Sequence, residues 1–409
     1  MRVRRIDPPS LHALKTLGAR HGWLLSAPDS LRVGFGRCLA RIELPHGVLD
    51  TTPALTALSS FASPDPHPTP LSVTAFASLP FDRSAPGVLE IPEYVVLVDH
   101  SGCWLVSESE DEEWRRHVEQ VDDADQDIQV ANELVYRPSG ESYAHAVAVA
   151  VERLRRKEVS KVVLARSVHG VTSAPIDPAS VARRLRAREP ACTIYSLPLP
   201  DGRRFVGASP ELLVRRDGLR ATCHPLAGTI ALPPHVDPQD YHAWLLGSSK
   251  NLHEHALLAD EVVTTLAEHY DSVEADPNPS IVTLRTVAHL GTWIHATSDT
   301  IESAPHGLEL LTWLHPTAAV GGLPRAEAYE MIRELESLDR GHYAGPVGWV
   351  DARGNAEWWI GIRGVMLEGS HFEAWAGAGI VPESDPTSER EETRDKLASV
   401  LSSVVVDRV

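Results

Sequence analysis

Apolar residues recur along this chain in two rhythms. In "SYAHAVAVAVERLRRKEVS" they fall at Tyr143, Val147, Ala150 or Val151 and Leu154, one face of a helix, and the basic residues closing the stretch suit the negative end of its dipole. "KVVLARSVHG" is β-branched and almost continuously apolar, which predicts a strand. The alternation continues: "RRFVGASPELLVRRDGLRATCHPLAGT" predicts strands and turns, with Asp217-Gly218 as a hairpin signal. Helix follows at "KNLHEHALLADEVVTTLAEHY", strand at "VTLRTVAHLGTWIHAT" and helix at "PRAEAYEMIRELESL". "GPVGWVD", "AEWWIGIRGVML" and "FEAWAGAGIV" predict strands, and a last helix starts at about Pro386, a proline well placed just after Asp385. From Met1 to about Arg115, short β-like runs alternate with proline-rich loops such as "ASPDPHPTP" at 62–70, and the acidic segment from Glu108 to Asp127 reads as a solvated connection. Without a regular βαβ alternation or an internal repeat, the order predicts an α+β fold of large, mostly antiparallel sheets flanked by helices.

Composition narrows the partners. The 409 residues carry a formal charge of -18, which argues against nucleic acid or an anionic membrane surface and for a small ligand. An anionic ligand must then be drawn in by local Lys, Arg, backbone N–H groups or a metal. Cys38, Cys103, Cys192 and Cys223 lie far apart without zinc-type spacing, so they are expected to be bystander thiols of a reducing compartment. "MRVRRIDPPS" leads into no apolar core of a secretory signal, and no run of about 18 apolar residues occurs, so a cytoplasmic location is expected.

The stretch "AGAGIVPESDPTSEREETRDK" raises the chemical question. A glycine-rich strand end feeding a helix start offers N–H groups to an anion, yet Glu383, Asp385, Glu389, Glu391, Glu392 and Asp395 crowd the same place. Mg²⁺ would resolve the conflict, because it takes one or two protein carboxylates plus the anionic oxygens of a substrate. Glu389 and Glu392 project from one helical face. A solvated acidic helix with a Glu392–Lys396 pair is the plainer alternative. "HEHALLA" is not a zinc HExxH site, since Leu257 stands where the second histidine would be.

"KVVLARSV", "GASPELLVRR", "HPLAGT", "HEH", "VAHLGT", "HPTAAVGG", "YAGPVGW", "GIRGVM" and "AGAGIVPESDP" with "EREETRDK", spread in order from about Ser142 to Val404, resemble the chorismate-utilising enzymes and, within them, the isochorismate synthases. The resemblance implies an anthranilate synthase component I-like fold, with 1–130 a variable N-terminal part and 131–409 the chorismate-binding catalytic region. It implies Mg²⁺ held by Glu254 and Glu392 with Glu389 behind them, Lys161 as the base that activates water and Glu211 as the general acid. Desolvation beside a cation would bring a buried lysine toward the range of a base. For the substrate it implies a forked bond from Arg363 with the Tyr343 hydroxyl beside it, backbone approach at Gly377 and Gly379, and contributions from Lys396, Gly228, Thr229 and His289.

The chain departs from the family where an acid followed by arginine usually precedes the metal glutamate; it has Asn251 and Leu252, which touches the outer shell of the metal. Relatives that add ammonia commonly lack a lysine at the Lys161 position, and the aminodeoxychorismate type carries a nucleophilic lysine where this chain has Ala227. Water is therefore the expected nucleophile, with isochorismate the product and no glutamine amidotransferase partner. "HPTAAVGG", with His315 and Thr317, is closer to isochorismate than to salicylate synthases. A monomer is expected, its product open to menaquinone, siderophore or salicylate synthesis. The competing readings are a salicylate synthase that goes on to eliminate pyruvate, a non-catalytic chorismate-binding paralogue, and a nucleotide-binding protein; the last lacks the Gly-Lys-Ser/Thr of a phosphate loop.

Overall fold

Tyr143, Val147, Ala150, Val151 and Leu154 are the buried residues of a helix over Gly140–Arg155, whose Ser139 cap accepts from the Ser142 N–H. Its Tyr143 hydroxyl donates to the Leu164 carbonyl at 3.0 Å, fastening the helix to the strand Lys161–Thr172. The computed structural model describes residues 1–61, 71–109, 112–122, 124–232 and 238–406. Among these, 20 strands join in one hydrogen-bonded sheet, and Leu226–Ala231, Val287–Gly291 and Ser280–Thr283 form a separate 3-stranded sheet. The pairings are antiparallel except that of Val405–Val406 with Gln129–Arg137.

The central strands are buried on both faces. In His371–Ile380, Phe372, Ala374 and Ala376 enter one hydrophobic core while Trp375, between them, enters the other. One core gathers Phe76, Leu89, Val347 and Trp358 from strands with Val147, Leu258 and Met331 from helices. The other is roofed by helices Leu11–His21, Pro178–Arg188 and Pro386–Leu401 through Leu14, Leu185 and Leu397. Strands on either side of residue 130 share the large sheet: Thr74–Ser78 pairs with Pro346–Asp351, and Trp23–Ser26 with Thr193–Pro198.

The structure differs from the sequence pattern in particular places. The acidic segment contains a helix, Glu113–Glu119, because Trp114 and Val118 lie one turn apart and both are buried in the helix-roofed core. The N-terminal third, read as strands and loops, also holds the helices Leu11–His21 and Thr52–Ser60. "VTLRTVAHLGTWIHAT" is three strands: Ser280–Thr283 and Val287–Gly291 join the small sheet, Ile294–Thr297 the large one. "AEWWIGIRGVML" breaks between Ala356–Ile360 and Gly364–Glu368, with Arg363 at φ 52° in the left-handed region. The proline-rich loop 62–70 lies outside the described residues. Among the described residues no helix is long and apolar enough to cross a membrane.

Candidate active site

The Lys161–Thr172 and His371–Ile380 strands run antiparallel with Val163 opposite Gly379 and Ala165 opposite Gly377. A Cβ on Gly379 would stand 2.5 Å from Glu254 Oε1 and 3.0 Å from Lys161 Cε. The missing side chain therefore makes room for those two groups to meet, and Lys161 Nζ donates to Glu254 Oε1 at 3.0 Å. Lys161 is only 1% exposed, as a lysine pointing into the core would be, but its hydrogen-bonded partner is a carboxylate rather than a cation. Gly377 stands beside Tyr343, whose hydroxyl would lie 3.1 Å from a Cβ there, and the Gly377 carbonyl accepts from Lys396 Nζ at 2.9 Å.

Two helix starts bring up the carboxylates. Ser248 caps the Ser249–Ala267 helix that carries Glu254, and Asp385 caps Pro386–Leu401, accepting from the Ser388 N–H at 2.8 Å and setting Glu389 in the first turn. Each of the three glutamates faces an ammonium: Glu254 has Lys161, Glu389 has Lys250 at 3.0 Å, and Glu392 has Lys396 at 2.5 Å. Burial and then the neighbouring Glu392 push the Glu389 carboxyl above its ordinary pKa, with Lys250 opposing. Burial works against the charge on Lys250, but Glu389, Glu254 and Glu392 outweigh it and raise its pKa. The cluster thus calls for positive charge. Among the described residues no three His, Cys, Asp or Glu side chains converge into a complete metal cage. Carboxylate oxygens around the opening left by Gly379 nevertheless fit Mg²⁺, a hard ion that leaves several positions to water and substrate.

The rest of the pocket is built for anions and for proton donation. Glu211 sits in the turn between Arg204–Ser209 and Leu212–Asp217 and is 4% exposed. Burial pushes its carboxyl up to about 8, against a backbone hydrogen bond from Leu226 and the charges of Lys161 and Lys396, so it holds its proton at neutral pH. Tyr343 is raised to about 12, first by burial, and keeps its phenolic proton as well. Burial, then Arg363 and Lys396, hold His289 well below its ordinary pKa, so the ring is neutral. Arg363 Nη2 can only donate to His289 Nε2, at 3.4 Å, so the ring proton sits on Nδ1 and is donated to Thr229 Oγ1 at 3.0 Å. That leaves the Thr229 hydroxyl proton free for a ligand. Burial lowers the Arg363 guanidinium from its ordinary value, opposed first by Glu189. Its left-handed backbone is held by the Tyr195 hydroxyl on the Ile362 carbonyl and by the Ala208 N–H on its own carbonyl, both at 3.1 Å.

One pocket is lined by Lys161, Glu211, Thr229, Glu254, His289, Tyr343, Arg363, Gly377, Gly379, Glu389, Glu392 and Lys396, together with Ala227 and Asn251. Gly228 is outside the lining. It forms the bulge between Ala227 and Thr229 at φ 70°, where a Cβ would approach the Asn251 carbonyl to 2.8 Å. His315 is also outside: fully buried, it donates through Nε2 to the Phe81 carbonyl at 3.0 Å, while Ala319 and Val320 of the same segment reach the pocket. Leu252 is exposed. Lys250, not singled out by motif, lies in the lining; its place one helical turn before Glu254 was the available signal.

The pattern of the family described as chorismate binding enzyme matches residues 87–405. The vibriobactin-specific isochorismate synthase of Vibrio cholerae is 37% identical over 277 residues, 67% of this chain and 69% of that protein. Isochorismate synthase EntC of Escherichia coli is 34% identical over 372 residues, 89% and 90% of the two chains. The fold is shared with MenF, the menaquinone-specific isochorismate synthase from Escherichia coli (TM-score 0.82, 24% identity, 98% of this chain and 94% of that one). It is shared also with anthranilate synthase component I from Streptococcus pneumoniae (TM-score 0.76, 21% identity, 91% and 92%).

The raised Glu211 pKa makes a stability prediction. Between its ordinary 4.5 and about 8 the folded chain holds a proton that the unfolded chain has lost, so this group lowers stability as pH rises through that window, by at most about 1.4 kcal/mol per pH unit. Glu211→Gln removes the titration. In thermal unfolding from pH 5 to 8, the melting temperature of Glu211→Gln relative to the parent should climb with pH; a constant difference would contradict a protonated Glu211.

Proposed function

The chain belongs to the chorismate-binding enzymes, and from that premise we propose that it isomerises chorismate to isochorismate, using Lys161 as base and Glu211 as acid. What carries the assignment of roles is the pair itself: a buried lysine and a carboxyl that keeps its proton at neutral pH, lining the same pocket. Lys161, acting as the neutral amine, takes a proton from water as the water oxygen bonds to ring carbon 2. The ring double bonds shift, the bond from carbon 4 to its hydroxyl breaks, and Glu211 protonates the departing oxygen, so one water enters and one leaves. To act as a base, the Lys161 ammonium must lose a proton and give up its 3.0 Å bond to Glu254. Arg363 and the neutral Tyr343 hold the enolpyruvyl carboxylate, and Thr229, oriented by the His289 Nδ1 proton, donates to the ligand beside them.

Mg²⁺ is part of the proposal. Glu254 and Glu392, with Glu389 behind them, would hold the ion, which when bound would neutralise charge on the ring carboxylate. The three glutamates and the side-chain-free space at Gly379 support it, and the ammonium partners they have in this structure imply that substrate oxygens are needed to complete its binding. Water as nucleophile is supported by Ala227, which lines the pocket where a lysine would otherwise have to stand, and no amidotransferase subunit is then required.

The function is tested by incubating the protein with chorismate and Mg²⁺ near neutral pH and separating the products. Isochorismate should accumulate with little salicylate, without incorporation of ammonium, and Lys161→Ala should lower turnover at least about a hundredfold while remaining folded. Stoichiometric salicylate and pyruvate would make the protein a salicylate synthase, and near-normal turnover of Lys161→Ala would remove the lysine from its role.

The metal is tested by calorimetry. With chorismate present, Mg²⁺ should bind and should bind less tightly to Glu254→Gln and to Gly379→Ala, in which the new Cβ pushes on Glu254 Oε1. Full activity in excess chelator would refute the metal role.

A further inference from the structure

We propose that Glu336 and Arg340 form a positioning pair for the isomerisation, two side chains that take the place of a missing strand beside Lys161 and fix it relative to Tyr343. The proposal rests on the roles given above to Lys161 and Tyr343. The Lys161–Thr172 strand has His371–Ile380 along one edge, from Val162 to Val171. Its other edge is covered in two pieces with a gap between them. Gly322–Leu323 pairs only with Lys161 and Val162, the Val163 N–H still reaches the Gly321 carbonyl at 2.8 Å, and Gln129–Arg137 takes over only at Ser167. In between, the Val163 carbonyl and the Ala165 N–H point along the same edge with no strand to receive them.

The side chains fill that gap. Arg340 Nη2 donates to the Val163 carbonyl at 2.7 Å, and Glu336 Oε1 accepts from the Ala165 N–H at 2.7 Å. The two are locked together by a forked pair, Arg340 Nε to Glu336 Oε2 at 2.9 Å and Nη2 to Oε1 at 2.5 Å. Arg340 Nη1 donates to the Val320 carbonyl at 2.7 Å, and the Arg340 carbonyl accepts from the Tyr343 N–H at 2.9 Å. The guanidinium lies 4.2 Å from the Phe81 ring centroid, and both side chains are under 5% exposed. Val163, Val320 and Tyr343 all line the catalytic pocket, so one buried pair ties three of its walls. A buried ion pair adds little stability over a well-packed apolar pair, so what these charges add is their bonds to the Val163 and Val320 carbonyls and the Ala165 N–H. These partners are backbone groups whose positions decide where Lys161 and Tyr343 stand.

Arg340→Lys keeps the charge but cannot span Glu336 and two carbonyls at once, whereas Glu336→Gln keeps an acceptor for the Ala165 N–H. The expected result is a folded Arg340→Lys enzyme whose kcat for chorismate falls by about ten- to a hundredfold while chorismate affinity by calorimetry changes less than about threefold. Glu336→Gln should lose less. Hydrogen exchange of a peptide covering 161–167 should speed up in Arg340→Lys, a readout independent of turnover. A folded Arg340→Lys enzyme with kcat within about twofold of the parent, or with unchanged exchange there, overturns the proposal. If Arg340→Lys does not fold, Glu336→Gln decides by the same two measurements, and unchanged values overturn it. A parent protein that makes no isochorismate overturns the function and this proposal with it; a fully active parent beside an equally active variant overturns this proposal alone.

Discussion

Three carboxylates and three ammonium groups share one pocket, and the local architecture follows from that neutralisation. Glu254, Glu389 and Glu392 could not stand so close in a partly buried site without Lys161, Lys250 and Lys396 beside them. Two of the pairs, Lys161–Glu254 and Lys250–Glu389, join different elements across the site, so folding and charge balance are coupled. The proposed divalent cation would need the same oxygens, so it and the lysines would compete for them.

Close approach is the second constraint. Gly377 and Gly379 have no side chain where Tyr343, Glu254 and Lys161 must come near, and Gly228 makes the bulge that turns Thr229 toward His289. Arg363 meets a similar demand at a cost: a non-glycine residue in the left-handed region, about 1–3 kcal/mol of strain by general experience, is held there by bonds to its carbonyl and its neighbour's. Glu211 carries a comparable cost, since its burial is unfavourable once the unfolded chain would be ionised.

Much of the site was readable in the sequence because its residues sit at fixed offsets on regular elements. Lys161 opens a β-branched run, Glu389 and Glu392 are one turn apart on a helix announced by Asp385-Pro386, and Gly377 and Gly379 alternate on a strand. Such offsets survive in one dimension. Lys250 escaped notice because it belongs to no motif, although its spacing from Glu254 was visible. The Trp114 helix was hidden by the acids around it, whose bulk charge masks an apolar pair one turn apart. The Glu336–Arg340 pair lies past the end of the Arg325–Leu335 helix, and nothing local marked it as a substitute for a strand.

By itself the sequence determined where the long helices and strands begin and which charged and glycine residues stand at fixed offsets along them. These depend on local periodicity, capping and spacing. The Glu392–Lys396 pair was visible as helix spacing, but only the tertiary structure decided which ammonium Glu254 and Glu389 face: Lys250 and Glu389 are 139 residues apart, and no local rule links them. It also decided that "VTLRTVAHLGTWIHAT" divides between two sheets, that His315 turns away from the pocket, and that the edge of the Lys161 strand is completed by side chains. The physical reason is the same in each case. A backbone group or charge buried far from water must find a partner, and which partner is within reach depends on how distant segments pack.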